Sequence, residues 1–282
     1  MARVQFAVKP RPRRALLLAA LLALGASSAW LTVRSNGRRP PAATRVVRIG
    51  YAVEAPYVFL DAEGAVVGES AASAGLIARR LGWQIEWVQT EFDLLIPDLL
   101  EGRFDLIDAG MFVTPERARQ VRFAVPRLRV SPALLVRRGN PSDLHSWEGM
   151  KARPSLRLAA VGGSVEEAQL HALGLSRVLS VPDARAGAAA VLAQLVDGMA
   201  LSLPTVRLLA ARQAGLEAVA VDDANGVFYV AAAFRPDDVG LLRAWNGGQA
   251  EVVGSAQHLA AIAAYGFTRD DVIVPASAAL AR

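Results

Sequence analysis

Apolar and polar positions along this chain fall into blocks whose period switches in a regular order. Val46 to Tyr51 is an apolar run of strand length, and Gly64 and Gly68 bracket a hairpin-like turn after it. From Ser70 to Leu81 the period becomes helical. Ala71, Ala74, Leu76, Ile77 and Leu81 share one side, and Gly82 supplies the stop. Gln84 to Gln89 alternates as a strand, Phe92 to Glu101 is helical up to Gly102, and Phe104 to Ala109 predicts a strand running into Gly110. The pattern then restarts. Leu156 to Val161 is a strand ending at Gly162-Gly163, and Ser164-Val165-Glu166-Glu167 is a capping box opening a helix to Leu173. Arg177 to Val181 predicts a strand, Asp183 caps an Ala-rich helix to Asp197, and Met199 to Ser202 is a strand. Pro204 stands where the first turn of a helix tolerates proline. Val227 to Phe234 reads as a strand, followed by helices from Pro236 to Val253 and from Ser255 to Tyr265.

Strands alternating with helices across short turns predict mostly parallel sheets covered on both faces, hence an α/β fold. Two such units are expected, with Leu134–Arg137 and Val227–Phe234 as the crossings between them. In open α/β sheets ligands sit beyond the carboxyl ends of strands, and clefts between domains are favoured. The residues just after strands are therefore the candidates for chemistry.

Composition changes this picture mainly at the N-terminus. The chain has 282 residues and a formal net charge of +5. Eight cations, Arg3, Lys9, Arg11, Arg13, Arg14, Arg34, Arg38 and Arg39, precede any expected globular segment and exceed that net charge. The body is therefore slightly acidic, and a nucleic-acid role loses its main support. A basic start, an apolar stretch from Ala15 to Leu24 and small residues at Ser27 and Ala29 predict a secretory signal peptide over 1–29. The alternative is a retained anchor, and Arg13-Arg14 also fits a twin-arginine signal. Residues 30–44, with Asn36-Gly37 and Pro40-Pro41, are expected to form a linker. Cysteine is absent, which excludes disulfides, thiolate metal sites and cysteine nucleophiles. His145, His171 and His258 lack ligand spacing, so no metal is expected, and no phosphate loop or nucleophile elbow calls for a cofactor or a catalytic centre.

Three segments carry a resemblance. They are 48–57 (Arg-Ile-Gly-Tyr-Ala-Val-Glu-Ala-Pro-Tyr), 95–105 (Leu-Ile-Pro-Asp-Leu-Leu-Glu-Gly-Arg-Phe-Asp) and 109–117 (Ala-Gly-Met-Phe-Val-Thr-Pro-Glu-Arg), with Gly-Phe-Thr at 266–268 as a closing segment. Together they resemble the family 3 extracellular solute-binding proteins of ABC uptake systems. The resemblance implies a two-lobed type II periplasmic-binding-protein fold with two hinge crossings: lobe 1 from 45–137, lobe 2 from 138–230, and a return to lobe 1 over 231–282. It also implies a periplasmic, monomeric protein that is not an enzyme, closes on a small zwitterionic ligand and hands it to a permease in the inner membrane. Glu54 to Tyr57, Thr90 to Phe92 and Phe112 are most similar to the branch that binds ectoine and hydroxyectoine. Amino-acid-binding relatives tend to have Ser or Thr in place of Phe112, and Asp in place of Ser202. Ala124 and Leu128 depart from the relatives' pattern as well.

The same resemblance makes Arg117 the clamp for a ligand carboxylate, which its planar fork can meet with two hydrogen bonds. The plainer alternative pairs Arg117 with Glu116 or Asp108. Tyr57, Phe92 and Phe112 would cage a delocalised cation, each ring contributing roughly 0.5–2 kcal/mol. Glu54 would accept a hydrogen bond from that cation. On the second lobe, backbone N–H groups of Gly163 and Ser164 would reach the ligand carboxylate at a helix start, unless Ser164 only caps its helix. Ser202 is a further contact. Two other functions share this architecture: a cyclohexadienyl-dehydratase-like enzyme with Glu54 as general acid, and a sensor domain that reports ligand without transport.

Overall fold

In the computed structural model of this protein, residues 44–221 and 226–274 are described. The expected signal peptide lies outside the described residues, as does the linker except for its last residue. β1 (Val46–Tyr51) leads through a hairpin of β2 (Phe59–Leu60) and β3 (Val66–Val67) into α1 (Glu69–Leu81) and β4 (Gln84–Gln89). A 3-10 turn, Phe92–Leu94, runs into α2 (Leu95–Leu100), followed by β5 (Leu106–Ile107), α3 (Pro115–Ala118) and β6 (Arg122–Phe123). β7 (Leu128–Val130) then precedes β8 (Pro132–Arg137), α4 (Trp147–Lys151), β9 (Arg157–Val161) and α5 (Val165–Ala172). The second unit continues with β10 (Arg177–Val181), α6 (Ala184–Leu192), β11 (Gly198–Ser202), α7 (Leu203–Arg212) and β12 (Leu216–Ala220). β13 (Phe228–Val230), β14 (Ala233–Phe234), α8 (Val239–Val252) and α9 (Ala256–Ala263) complete the described chain.

These strands form two five-stranded sheets, one per lobe, in the orders β4-β1-β5-β14-β6 and β10-β9-β11-β8-β12. β1 runs parallel to β4 and β5, and β9 runs parallel to β10 and β11. β14 and β8 are antiparallel to their neighbours, so each sheet is mixed rather than mostly parallel. Helices cover the faces. β8 and β11 are buried along nearly their whole length, which explains why their sequences are apolar runs with no alternation. Around β1, Ile49, Ile77, Leu106, Phe234 and Trp245 are fully buried, each aliphatic side chain contributing about 1.5–3 kcal/mol by leaving water.

One expected crossing is displaced. Residues 134–137 belong to β8, whose partners β11 and β12 lie in the second sheet, so 132–137 is part of lobe 2 and not of lobe 1. The first crossing sits one turn of chain earlier, where β7 pairs antiparallel with β13 in a ribbon of its own. On the return, β13 pairs with β7 and β14 enters the first sheet. An apolar run cannot by itself declare which sheet it joins, because the choice is made by partners 60 or more positions away.

Arg127, just before β7, is fully buried and gathers a polar cluster under the first lobe. Its Nε donates to Glu69 Oε1 at 3.0 Å, and its Nη2 to Glu69 Oε2 at 3.1 Å, Ser70 Oγ at 2.9 Å and Asp108 Oδ1 at 2.7 Å. Ser73 Oγ donates to Glu69 and contacts His258 Nε2 on α9. One guanidinium therefore serves two carboxylates. Glu69 has the bidentate contact and its pKa is held down, while burial and Glu69 together push Asp108 up to about 6. The helical stripe predicted on α1 underestimates this face, because Glu69, Ser70 and Ser73 are as buried as Ala74 and Ile77.

Candidate functional site

Four parallel strands from the two lobes end at the same seam. β1 runs out into Glu54 and Tyr57, and β5 into Gly110 and Phe112. Across the seam β9 ends at Gly162-Gly163, and β11 at Ser202. A narrow cavity lies between them. Glu54, Tyr57, Phe92, Phe112, Arg117 and Ser164 line it, together with Gly110, Val165, Glu166 and apolar residues ending β9 and β11. Gly163 and Ser202 do not line it; each binds a residue that does.

Arg117 is placed by local sequence. Thr114 caps α3, its Oγ1 accepting from the Arg117 backbone N–H at 3.1 Å, and Pro115 occupies the first helical position, where no N–H is needed. The side chain turns inward and keeps only 8% exposure. Nη1 donates to the Phe112 carbonyl at 3.0 Å, and Nη2 crosses the seam to the Gly163 carbonyl at 3.0 Å. The guanidinium also sits 5.5 Å from the centre of the Phe92 ring. The plainer pairing is not present. Asp108 is taken by Arg127, and neither Asp108 nor Glu116 lies within ion-pair distance of Arg117. Burial lowers the Arg117 pKa, and Glu166 and Glu116 pull it back up.

The three rings are each backed by a different partner. Tyr57 leans on Phe267 at 5.4 Å and donates its hydroxyl to Ser202 Oγ at 3.0 Å, across the seam. Phe112 stacks face to face on Phe228 of β13 at 4.7 Å. Phe92 turns toward Arg117, so a cation of the protein itself is over one of the faces expected for the ligand. Gly110 makes this arrangement possible: its φ is +70°, and a Cβ there would stand 2.6 Å from the Tyr57 ring.

Glu54 sits in a short loop closed by its own backbone bonds to Val58 and Tyr57. Its residue is only partly covered, but its carboxyl reaches the second lobe, where Thr205 Oγ1 donates to Oε1 at 3.4 Å. Ser202 and Thr205 share a hydrogen bond of 3.0 Å. Tyr57, Ser202, Thr205 and Glu54 thus form a chain of polar contacts that begins and ends on lobe 1 and passes through lobe 2. Burial, then repulsion from Glu166 and Asp183, push Glu54 up to about 8 against the smaller help of Thr205.

The helix start at Gly163-Ser164 differs from expectation. Ser164 Oγ accepts from the Glu167 backbone N–H at 3.1 Å, the ordinary cap. Glu167 returns its carboxylate to the Gly163 N–H at 2.8 Å, and Ser164 N–H bonds to the Val161 carbonyl. Both amides expected to face a ligand are therefore already engaged, and Gly163 offers its carbonyl to Arg117. Sequence reasoning also passed over Glu166, Thr205, Phe228 and Phe267. Glu166 had a readable signal. Of two consecutive acids after the capping Ser only one completes the cap, and the other, 5% exposed, is free to enter the seam.

Comparison with known proteins bears on this geometry. Residues 47–265 match the family model described as bacterial extracellular solute-binding proteins, family 3. A probable amino-acid ABC transporter periplasmic-binding protein of Sinorhizobium fredii is 34% identical over 46% of this chain and 43% of its own length. A cyclohexadienyl dehydratase of Pseudomonas aeruginosa is 26% identical over 51% of this chain and 53% of its own. The chain spans about half the length of the curated relatives it matches. Among solved structures, EhuB in complex with hydroxyectoine superposes with a TM-score of 0.74 at 30% identity, covering 79% of this chain and 89% of EhuB.

Proposed function

This chain belongs to family 3 of the bacterial extracellular solute-binding proteins, and from that premise we propose that it is the periplasmic binding component of an ABC uptake system for a small zwitterionic compatible solute such as ectoine or hydroxyectoine. The observation that carries the reading is Arg117: a buried guanidinium at the seam, held by two carbonyls from opposite lobes and by no carboxylate. A ligand carboxylate is the natural partner for such a group, because a charge-assisted fork to an anion is stronger than bonds to neutral carbonyls. The rings of Tyr57 and Phe112 and the carboxyl of Glu54 line the same cavity and suit the ligand's cationic end, while Phe92 backs Arg117. Closure of lobe 2 over lobe 1 then presents one form to a membrane permease, so binding and delivery are joined through a single two-state motion. Residues 1–29 would address the chain for export. EhuB, bound to hydroxyectoine, supports the compatible-solute reading, and the amino-acid-binding relatives support a polar amino acid as the alternative ligand.

One observation favours an enzyme on the same scaffold. Glu54, pushed up to about 8, is held as the neutral acid at pH 7, the state a general acid requires. Against it, the same cavity is lined by a second buried carboxyl, Glu166, which disfavours a dianionic ring acid such as prephenate. One calorimetric panel decides: ectoine, hydroxyectoine, glycine betaine, polar amino acids and prephenate, each with the wild type and with Arg117→Ala. A zwitterion binds at micromolar Kd or tighter, about 8 kcal/mol, and the variant loses at least a hundredfold. Turnover of prephenate, or a neutral sugar as the best ligand, would overturn the reading.

A further inference from the structure

We propose that Glu166 is a specificity-determining residue of this site: together with Glu54 it selects carboxylates whose cationic end carries N–H groups, and it rejects quaternary ammonium compounds. The proposal rests on the reading that a zwitterion binds between the lobes. Three ionisable side chains converge on one small cavity: Glu54 from lobe 1, Glu166 at the second position of α5 in lobe 2, and Arg117. Among the described residues, none of the three has an opposite charge within ion-pair distance. Every ion pair there joins other groups. Arg117 spends its N–H groups on carbonyls, Glu54 has a threonine hydroxyl, and Glu166 has the Ser164 hydroxyl and a backbone amide.

A buried carboxylate without a counter-charge either takes up a proton or requires a cation. Both glutamates behave this way. Burial raises both pKa values; repulsion from Glu166, and then from Asp183 at the head of α6, adds to it on Glu54, while the Glu166 backbone amide and Arg117 oppose it on Glu166. The two carboxyls come from opposite lobes, so a cation with several N–H donors can bond to both and hold the lobes together. An amidinium, a guanidinium or a primary ammonium can do this. A trimethylammonium group has no hydrogen to donate, and its methyl groups keep both oxygens at a distance. Aromatic rings alone would accept either kind of cation, since their attraction needs only charge. The glutamates are what tells the two apart, and a second one on lobe 2 makes that discrimination part of closure.

The test is calorimetry on the purified protein with three probes, ectoine, arginine and glycine betaine, repeated with Glu166→Gln. Circular dichroism and the thermal midpoint establish that the variant is folded. We expect the better of the two N–H cations to bind at least a hundredfold more tightly than glycine betaine. Glu166→Gln should lower that affinity tenfold or more and leave betaine within about tenfold of its wild-type value, so that the gap narrows. The wild-type gap is a readout that needs no variant. Betaine binding within tenfold of the best N–H cation, or an unchanged gap in Glu166→Gln, overturns the proposal while leaving the zwitterion reading intact. Failure of all three probes and of the wider panel above overturns both.

Discussion

Taking a charged side chain out of water costs several kcal/mol unless something nearby balances it or a proton neutralises it, and Arg117, Glu54 and Glu166 bring that choice together in one cavity. The consequence can be measured through pH. Glu54 binds its proton more tightly in the folded seam, near 8, than in an unfolded chain, near 4.3. The folded form therefore carries the extra proton between those values, and stability falls as pH rises through that window. Asp108, near 6, acts in the same direction but is ionised by pH 7, so the interval from 7 to 9 isolates the seam. The thermal midpoint of the ligand-free protein should drop by a few degrees over that interval, the response to about 1 kcal/mol in a body of this size. Glu54→Gln should flatten the drop. Calorimetric scans at fixed ionic strength check this, and an unchanged slope in the variant would place the titration elsewhere. At this scale the sequence was legible where a motif fixed a single residue: Arg117 follows from Thr-Pro-Glu-Arg, and Tyr57 from its loop. It was silent on Phe228 and Phe267, which reach the site only through pairings set by the whole fold.

Elements with a strong local signature were read close to their true limits. α1 begins one residue before its predicted start and ends at Gly82 as expected, and α5 opens at its serine cap. β12, β6 and β7 went unread, because two- to five-residue strands carry too little pattern and are fixed by partners distant in the chain. The predicted strand 227–234 is two short strands, one in the hinge ribbon and one in the first sheet. Capping chemistry was read correctly, but its effect on the site was reversed: completing the cap uses the very amides that were expected to face a ligand. Gly163 nonetheless matters at this scale through its shape. Its φ is +72°, and a Cβ there would lie 3.1 Å from the Asp93 Cα on the opposite lobe. Gly163→Ala should therefore hinder the approach of α5 to the 3-10 turn, weakening ligand binding tenfold or more. The left-handed backbone adds strain of roughly 1–2 kcal/mol to the fold itself. Comparing Kd with the thermal midpoint of the ligand-free variant separates the two. An affinity loss no larger than the stability loss predicts would refute a role in closure.

At the scale of the molecule, two lobes with separate cores are joined by two strands lying side by side. Addition of a binding zwitterion should reduce the radius of gyration measured by small-angle X-ray scattering, and Arg117→Ala should abolish the change at the same ligand concentration. A ligand that bound with full heat and no compaction would show that the lobes do not close on it. The joint itself is short. Only Ser131 separates β7 from β8, and only Ala231 and Ala232 separate β13 from β14. Across these short connections few torsions are free to move, so they surrender little disorder on opening and shutting. A solute of about ten heavy atoms has few contacts to give, and here almost none of them must be diverted to stiffening a slack connector. Brevity at the pivot is thus what lets so small a guest command so large a swing.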